Sequence, residues 1–171
     1  MHKRQKGFTL LEILVVVSLV GIVAAIAAPS WMSFAERNQL ATARDQLYTG
    51  IREAQSKAQR RGTSWRFSVR ERNDKVEWAV HPNSVSPSLA EWEVLSSDSI
   101  QIDSETTFAS SGDIFYVRFD SRGNVLYRLG RVTLSGKRFP MNKRCVIVST
   151  LIGAMRKAQE QIEPRDGKLC Y

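Results

Sequence analysis

Lys6-Gly7-Phe8-Thr9-Leu10-Leu11-Glu12 is the stretch that decides how the rest of the chain is read. Before it lies a short basic run, His2-Lys3-Arg4-Gln5-Lys6. After it, Phe8 to Ala28 is an apolar run with Thr9 and Ser18 as its only hydroxyl residues and Glu12 as its only charged one. An ordinary secretory signal loses its apolar segment on cleavage. Here the basic run and a glycine precede the apolar run, so a cut after Gly7 would keep the anchor. As a helix, the 21 residues from Phe8 to Ala28 would rise roughly 31 Å. A hydrocarbon core is about 30 Å thick. The cations at the leader end predict that this end stays cytoplasmic and the remainder lies beyond the inner membrane.

Glu12 is the exception within the apolar run. A carboxylate at that depth costs roughly 2.5 kcal/mol unless it is paired or close to the interface. Cleavage after Gly7 would create a partner, because the new amine on Phe8 precedes Glu12 by one helical turn. A lone glutamate favoured by the helix dipole is the simpler alternative. Pro29 lacks an N–H and crowds the carbonyl of Ala25, which predicts a bend or a membrane exit there.

Gly7, Phe8, Glu12 and the basic leader together resemble the processing site of type IV prepilins and secretion pseudopilins. The resemblance implies that a prepilin peptidase cuts between Gly7 and Phe8 and methylates the Phe8 amine. It also implies that Glu12 guides docking against other pilin or pseudopilin subunits. A plain single-pass membrane protein would keep residues 1–7.

The 171 residues carry a formal net charge of +8, unevenly spread. From Glu71 to Asp113 there are nine acids and two bases, and from Arg118 to Lys157 ten bases and one acid. Such asymmetry points to polar docking or to a polyanion-binding surface on the C-terminal half. Once export places the head in an oxidising compartment, Cys145 and Cys170 are expected to form a disulfide rather than remain free thiols. The bridge would close a loop worth about 3 kcal/mol in the chain-entropy account. C-terminal disulfide loops are common among the pilins that the N-terminus resembles.

Leu40, Ala43, Leu47, Ile51, Ala54 and Ala58 recur at helical spacing. Gly62 follows Arg60 and Arg61 as a stop. The spacing predicts one long helix over residues 8–61, bent near Pro29. Strand patterns then take over: Trp65, Phe67 and Val69 alternate with polar residues, as do Val76, Trp78 and Val80. Arg72-Asn73-Asp74 between them predicts a hairpin turn. A loop is expected at 82–90. Short apolar runs follow at 92–95, 100–102, 114–119, 125–129, 132–134 and 145–149. The expected class is α+β with antiparallel pairing. Its expected parts are a leader (1–7), a transmembrane or filament-core helix (8–29), an amphipathic continuation (30–62) and a β-rich head (63–171) with the disulfide loop. Trp65, Phe67, Trp78, Phe115 and Phe119 are read as core.

The later order of motifs is similar to the GspH/FimT group of minor pilins and pseudopilins. Phe119-Asp120-Ser121-Arg122-Gly123 is followed by strands, then by Thr150-Leu151-Ile152-Gly153-Ala154-Met155-Arg156. The resemblance implies a helix packed on a head of two sheets. It implies a minor pilin of a type IV pilus, or alternatively a type II secretion pseudopilin that ends in a periplasmic pseudopilus. The DNA-binding branch of the group uses a Gly-Arg-x-Arg motif for DNA uptake. Gly153 and Arg156 match that motif, Ala154 departs from it, and Lys157 offers a neighbouring charge.

An enzyme is not expected. No Cys or His spacing suits a metal, and neither a phosphate-cradling loop nor a serine nucleophile in a recognisable setting occurs. No cofactor is implied. His81, beside Pro82, is read as an ordinary loop residue.

Overall fold

The computed structural model describes residues 9–171, so Gly7 and Phe8 lie outside the described residues. The chain divides into two compact units, one ending at Ala35 and one running from Glu36 to Tyr171. A single helix, α1 (Leu10–Arg61), contributes to both and continues through Pro29 without interruption. It stops where expected: Gly62 adopts a positive φ of 63°, the left-handed conformation that ends many helices.

In the first unit the apolar side chains point outward on every side. Leu10, Leu14, Val17, Val20, Val23 and Ile26 are all exposed. Such a surface fits lipid or other helices rather than water. The segment is long and apolar enough to cross a membrane.

In the second unit α1 becomes one-sided. Glu36, Leu40, Ala43, Leu47, Gly50, Ile51, Ala54 and Ala58 are buried, and their spacing of three and four residues marks one face. Two antiparallel sheets complete the unit. The first contains β1 (Trp65–Arg72), β2 (Lys75–Pro82), β3 (Glu93–Val94), β5 (Ala109–Ser111), β6 (Ile114–Phe119) and β7 (Val125–Leu126). Its order is β3-β2-β1-β6-β5, with β7 also pairing β6. The second contains β4 (Ile100–Ile102), β8 (Gly130–Gly136), β9 (Lys143–Val148), β10 (Met155–Arg165) and β11 (Lys168–Cys170), in the order β11-β10-β9-β8-β4.

The β1–β2 hairpin is a two-residue turn in which Asn73 and Asp74 both take positive φ, 51° and 58°. That is the turn geometry whose twist matches a right-handed strand pair. Phe67, Val69, Val76, Val117 and Phe119 from the first sheet share one buried cluster with Val132, Leu134, Val146 and Val148 from the second and the buried stripe of α1. Gly50 permits the close approach. A Cβ there would lie 2.5 Å from the Trp78 ring and 2.9 Å from Phe67. Trp65 and Phe115, expected in the core, are only half-buried at its margin.

One expectation needs correction. His81 is not a loop residue. It lies in β2, is 3% exposed, and has both ring nitrogens engaged, with Ser68 Oγ at 3.1 Å and the Pro82 carbonyl at 3.0 Å. Burial lowers its pKa, and the nearby Arg66 charge acts in the same direction. A histidine at a strand end reads as polar, but a cross-strand serine makes its burial tolerable. The apolar runs of the sequence end at 149, and β10 and β11 occupy most of the tail beyond them.

Candidate functional site

The N-terminal end of α1 is built by a cap. Thr9 Oγ1 accepts a hydrogen bond from the Glu12 amide at 3.2 Å, and the Ile13 amide donates to the Thr9 carbonyl at 3.2 Å. Thr9-Leu10-Leu11-Glu12 therefore has the Ser/Thr-x-x-Glu spacing of a capping box, a pattern legible in the sequence but missed there. Glu12 is exposed in this first turn. Its carboxylate is available to a positive partner arriving from outside the chain.

At the other end of α1 two glutamines fasten a pair of loops. Gln55 Nε2 donates to the Gly123 carbonyl (3.0 Å) and the Ile152 carbonyl (3.1 Å), and Gln59 Nε2 donates to the Arg122 carbonyl (3.1 Å). The Val125 amide joins the two loops through the Leu151 carbonyl at 2.7 Å. Gly123 and Gly153 take φ of 82° and 77°, and a Cβ at either would run into its glutamine. Asp120 closes the first loop by accepting from the amides of Arg122 and Asn124, each at 2.8 Å. The bond from Asn124 is the main reason its carboxyl is held below its usual pKa. Leu151 and Ile152 remain 63% and 72% exposed on this rigid frame.

The residues matched to the DNA-uptake motif separate. Arg156 is exposed and makes no ion pair among the described residues. Lys157 pairs with Asp45 at 3.1 Å and sits over the Tyr48 ring at 4.9 Å. Adjacent strand residues face opposite ways, so the two charges do not add on one surface.

Much of the basic C-terminal half is used internally. Lys143 Nζ reaches Asp103 and Glu105, each at 2.9 Å. Arg144 pairs with Glu160, and Arg131 donates to the Cys170 carbonyl. Asp103 and Glu105 come from the 71–113 stretch, so part of the charge asymmetry in the sequence closes within the fold.

Glu105 also secures the tail. Its carboxylate accepts from the amides of Leu169 (3.0 Å) and Cys170 (3.1 Å) as well as from Lys143. Burial raises its pKa, but the Leu169 amide, Lys143 and the Cys170 amide outweigh that and bring it below the usual value. Beside it, Cys145 and Cys170 are bonded with a Cα–Cα distance of 6.2 Å and form a small buried cluster with Ala158. Among the described residues, no group of three or more His, Cys, Asp or Glu side chains is placed to hold a metal.

Residues 2–28 match the prokaryotic N-terminal methylation motif. Residues 43–151 match the family described as type II transport protein GspH. A fimbrial protein of Pseudomonas aeruginosa is 49% identical over 41 residues, which is 24% of this chain and 27% of that protein. The type IV major pilin protein PilE1 of Neisseria gonorrhoeae is 44% identical over 43 residues, 25% of this chain and 26% of its own. The matches thus span about a quarter of the length of these relatives. In fold, the chain resembles the type IV minor pilin FimU of Pseudomonas aeruginosa, with a TM-score of 0.53 at 14% identity. That alignment covers 77% of this chain and 92% of that one.

Proposed function

Because this chain belongs to the GspH family and carries a prokaryotic N-terminal methylation motif in front of the family domain, we propose that it is a minor pilin-like structural subunit of a type IV pilus. On this reading a prepilin peptidase cuts after Gly7 and methylates Phe8. The apolar helix holds the subunit in the inner membrane, with its head outside the cytoplasm, until other pilin subunits take it into a filament. The observation that carries the reading is the pairing of those two matches in one chain. An apolar α1 segment exposed on every side supports it, because such a surface needs either lipid or neighbouring helices. Glu12, exposed in the first turn, is suited to meet the amine of an adjacent subunit.

One observation favours a second machine. The matched family is itself described as a type II transport protein, which is the expectation for a pseudopilin. Loss of pilus-dependent behaviour on deletion would support the first machine, and loss of protein secretion the second. DNA uptake through Gly153, Arg156 and Lys157 receives less support, because Lys157 is engaged on Asp45.

The test is the intact mass of the protein from its native membrane. A mass lacking residues 1–7 and carrying one added methyl group is the expected result. A mass retaining residues 1–7 would overturn the proposal, since no Phe8 amine would exist to meet Glu12.

A further inference from the structure

The first sheet carries two arginines that pair with no acid among the described residues. Arg66 on β1 and Arg118 on β6 are direct cross-strand partners. Like charges placed opposite one another destabilise a sheet. Each guanidinium offers five N–H donors, yet neither guanidinium makes a hydrogen bond or an ion pair among the described residues, and both Nε atoms are buried and unbonded. Burial lowers the Arg66 pKa, and the Arg118 charge lowers it further.

Aromatic rings hold this pair in place. Arg66 lies over the Tyr116 ring at 4.1 Å, Arg118 lies 5.3 Å from the same ring, and Tyr127 covers Arg118 at 4.2 Å. Tyr127 is 81% exposed and takes a φ of 77°, a conformation unfavourable for a bulky residue. The rings occupy the guanidinium faces, and with each Nε buried it is the Nη edge that is left for a planar anion.

We propose that Arg66 and Arg118 form a binding site for the carboxylates of an acidic segment on a neighbouring subunit's head. This occupant rests on the filament reading above, while the anion chemistry stands on the site alone. The register favours side-chain carboxylates over a nucleic-acid backbone. The row across the strands reads His81, Arg66, Arg118, Leu126. The next reads Ala79, Ser68, Tyr116, Ala109. In the third row Arg70 is already paired with Glu77 at 2.9 Å and stacked on Trp92 at 3.9 Å. Two uncompensated cations make a point site, whereas a polyphosphate backbone is held by a track of many.

The full-length chain in detergent micelles can be titrated with fluorescently labelled hexaglutamate, and with a labelled single-stranded oligonucleotide of equal charge. Hexaglutamate should bind, and Arg118→Gln should weaken it about tenfold or more. Arg122→Gln, on the neighbouring loop, should leave it unchanged. Absence of hexaglutamate binding, or an equal loss in both variants, would overturn the site. Tighter binding of the oligonucleotide, lost in Arg118→Gln, would overturn the choice of partner. Should Arg118→Gln fail to fold, Tyr127→Gly keeps both charges and relieves the backbone strain. It should weaken hexaglutamate severalfold without lowering the melting temperature, and unchanged binding would refute the proposal. Peptide binding does not depend on processing, so its failure leaves the filament reading standing, and an unmethylated Phe8 would sink the filament reading alone.

Discussion

Glu12 and Glu105 are two exceptions to the rule that carboxylates stay in water, and each points to a different partner. Glu12 has its backbone amide satisfied by Thr9, so the side chain is dispensable for starting the helix. Glu12→Ala should therefore leave processing intact while reducing incorporation into filaments. Immunoblots of membrane and sheared-filament fractions would check this, and normal incorporation would remove the docking role. Glu105 is bound inside the chain, with three donors on one carboxylate. Its folded pKa lies below the ordinary value of 4.5. Its stabilisation is therefore fully present above that pH and is lost as the pH falls through the lower folded value. Glu105→Gln should cost about 1–3 kcal/mol at neutral pH and flatten the acid limb of the stability curve. Urea unfolding at a series of pH values would measure both. Neither Glu105 nor the loop-fastening Gln55 and Gln59 stood out in the sequence. Each is an ordinary polar residue whose partners lie 38 or more positions away, a distance local pattern does not reach.

Elements differ in how openly the sequence declares them. The buried stripe of α1 follows helical period, and Gly62 ends it, so its C-terminal boundary was legible to the residue. The β1–β2 hairpin was legible for the same reason: period-two alternation around a turn pair. β10 was not. Of its 11 residues only Ala158 is buried, and Ile162 is fully exposed. Its order comes from pairing with β9 and β11 rather than from an apolar face. β5, Ala109–Ser111, was hidden in the same way. Gly50 shows the reverse case, a residue that looks like a helix flaw and is a packing requirement. Gly50→Ala should gain helix propensity, yet lose about 1–3 kcal/mol overall from collision with Trp78. Thermal unfolding monitored by tryptophan fluorescence would report the change, and an unaltered midpoint would mean that the ring yields freely.

Across the whole molecule, stability is distributed between one core and a stapled tail. The Cys145–Cys170 bridge spans 25 positions and secures strands that bury little. Cys145→Ser combined with Cys170→Ser should cost about 3 kcal/mol, measurable as a lower urea midpoint with β11 losing amide-exchange protection first. The class of fold and the N-terminal signature were readable because they rest on long periodic segments and on local spacing. The fate of the charges was not, because pairing such as Lys143 with Asp103 and Glu105 is decided by sheet register.

The boundary between the two units has a practical consequence. Residues 36–61 supply one wall of the interior that the sheets close, although they belong to the same helix as the apolar span. An anchor-free, secreted version of this protein must therefore begin no later than Glu36. A version beginning at residue 63, where the strands start, would bare Phe67, Phe119, Val132 and Val146 to water and should aggregate on expression.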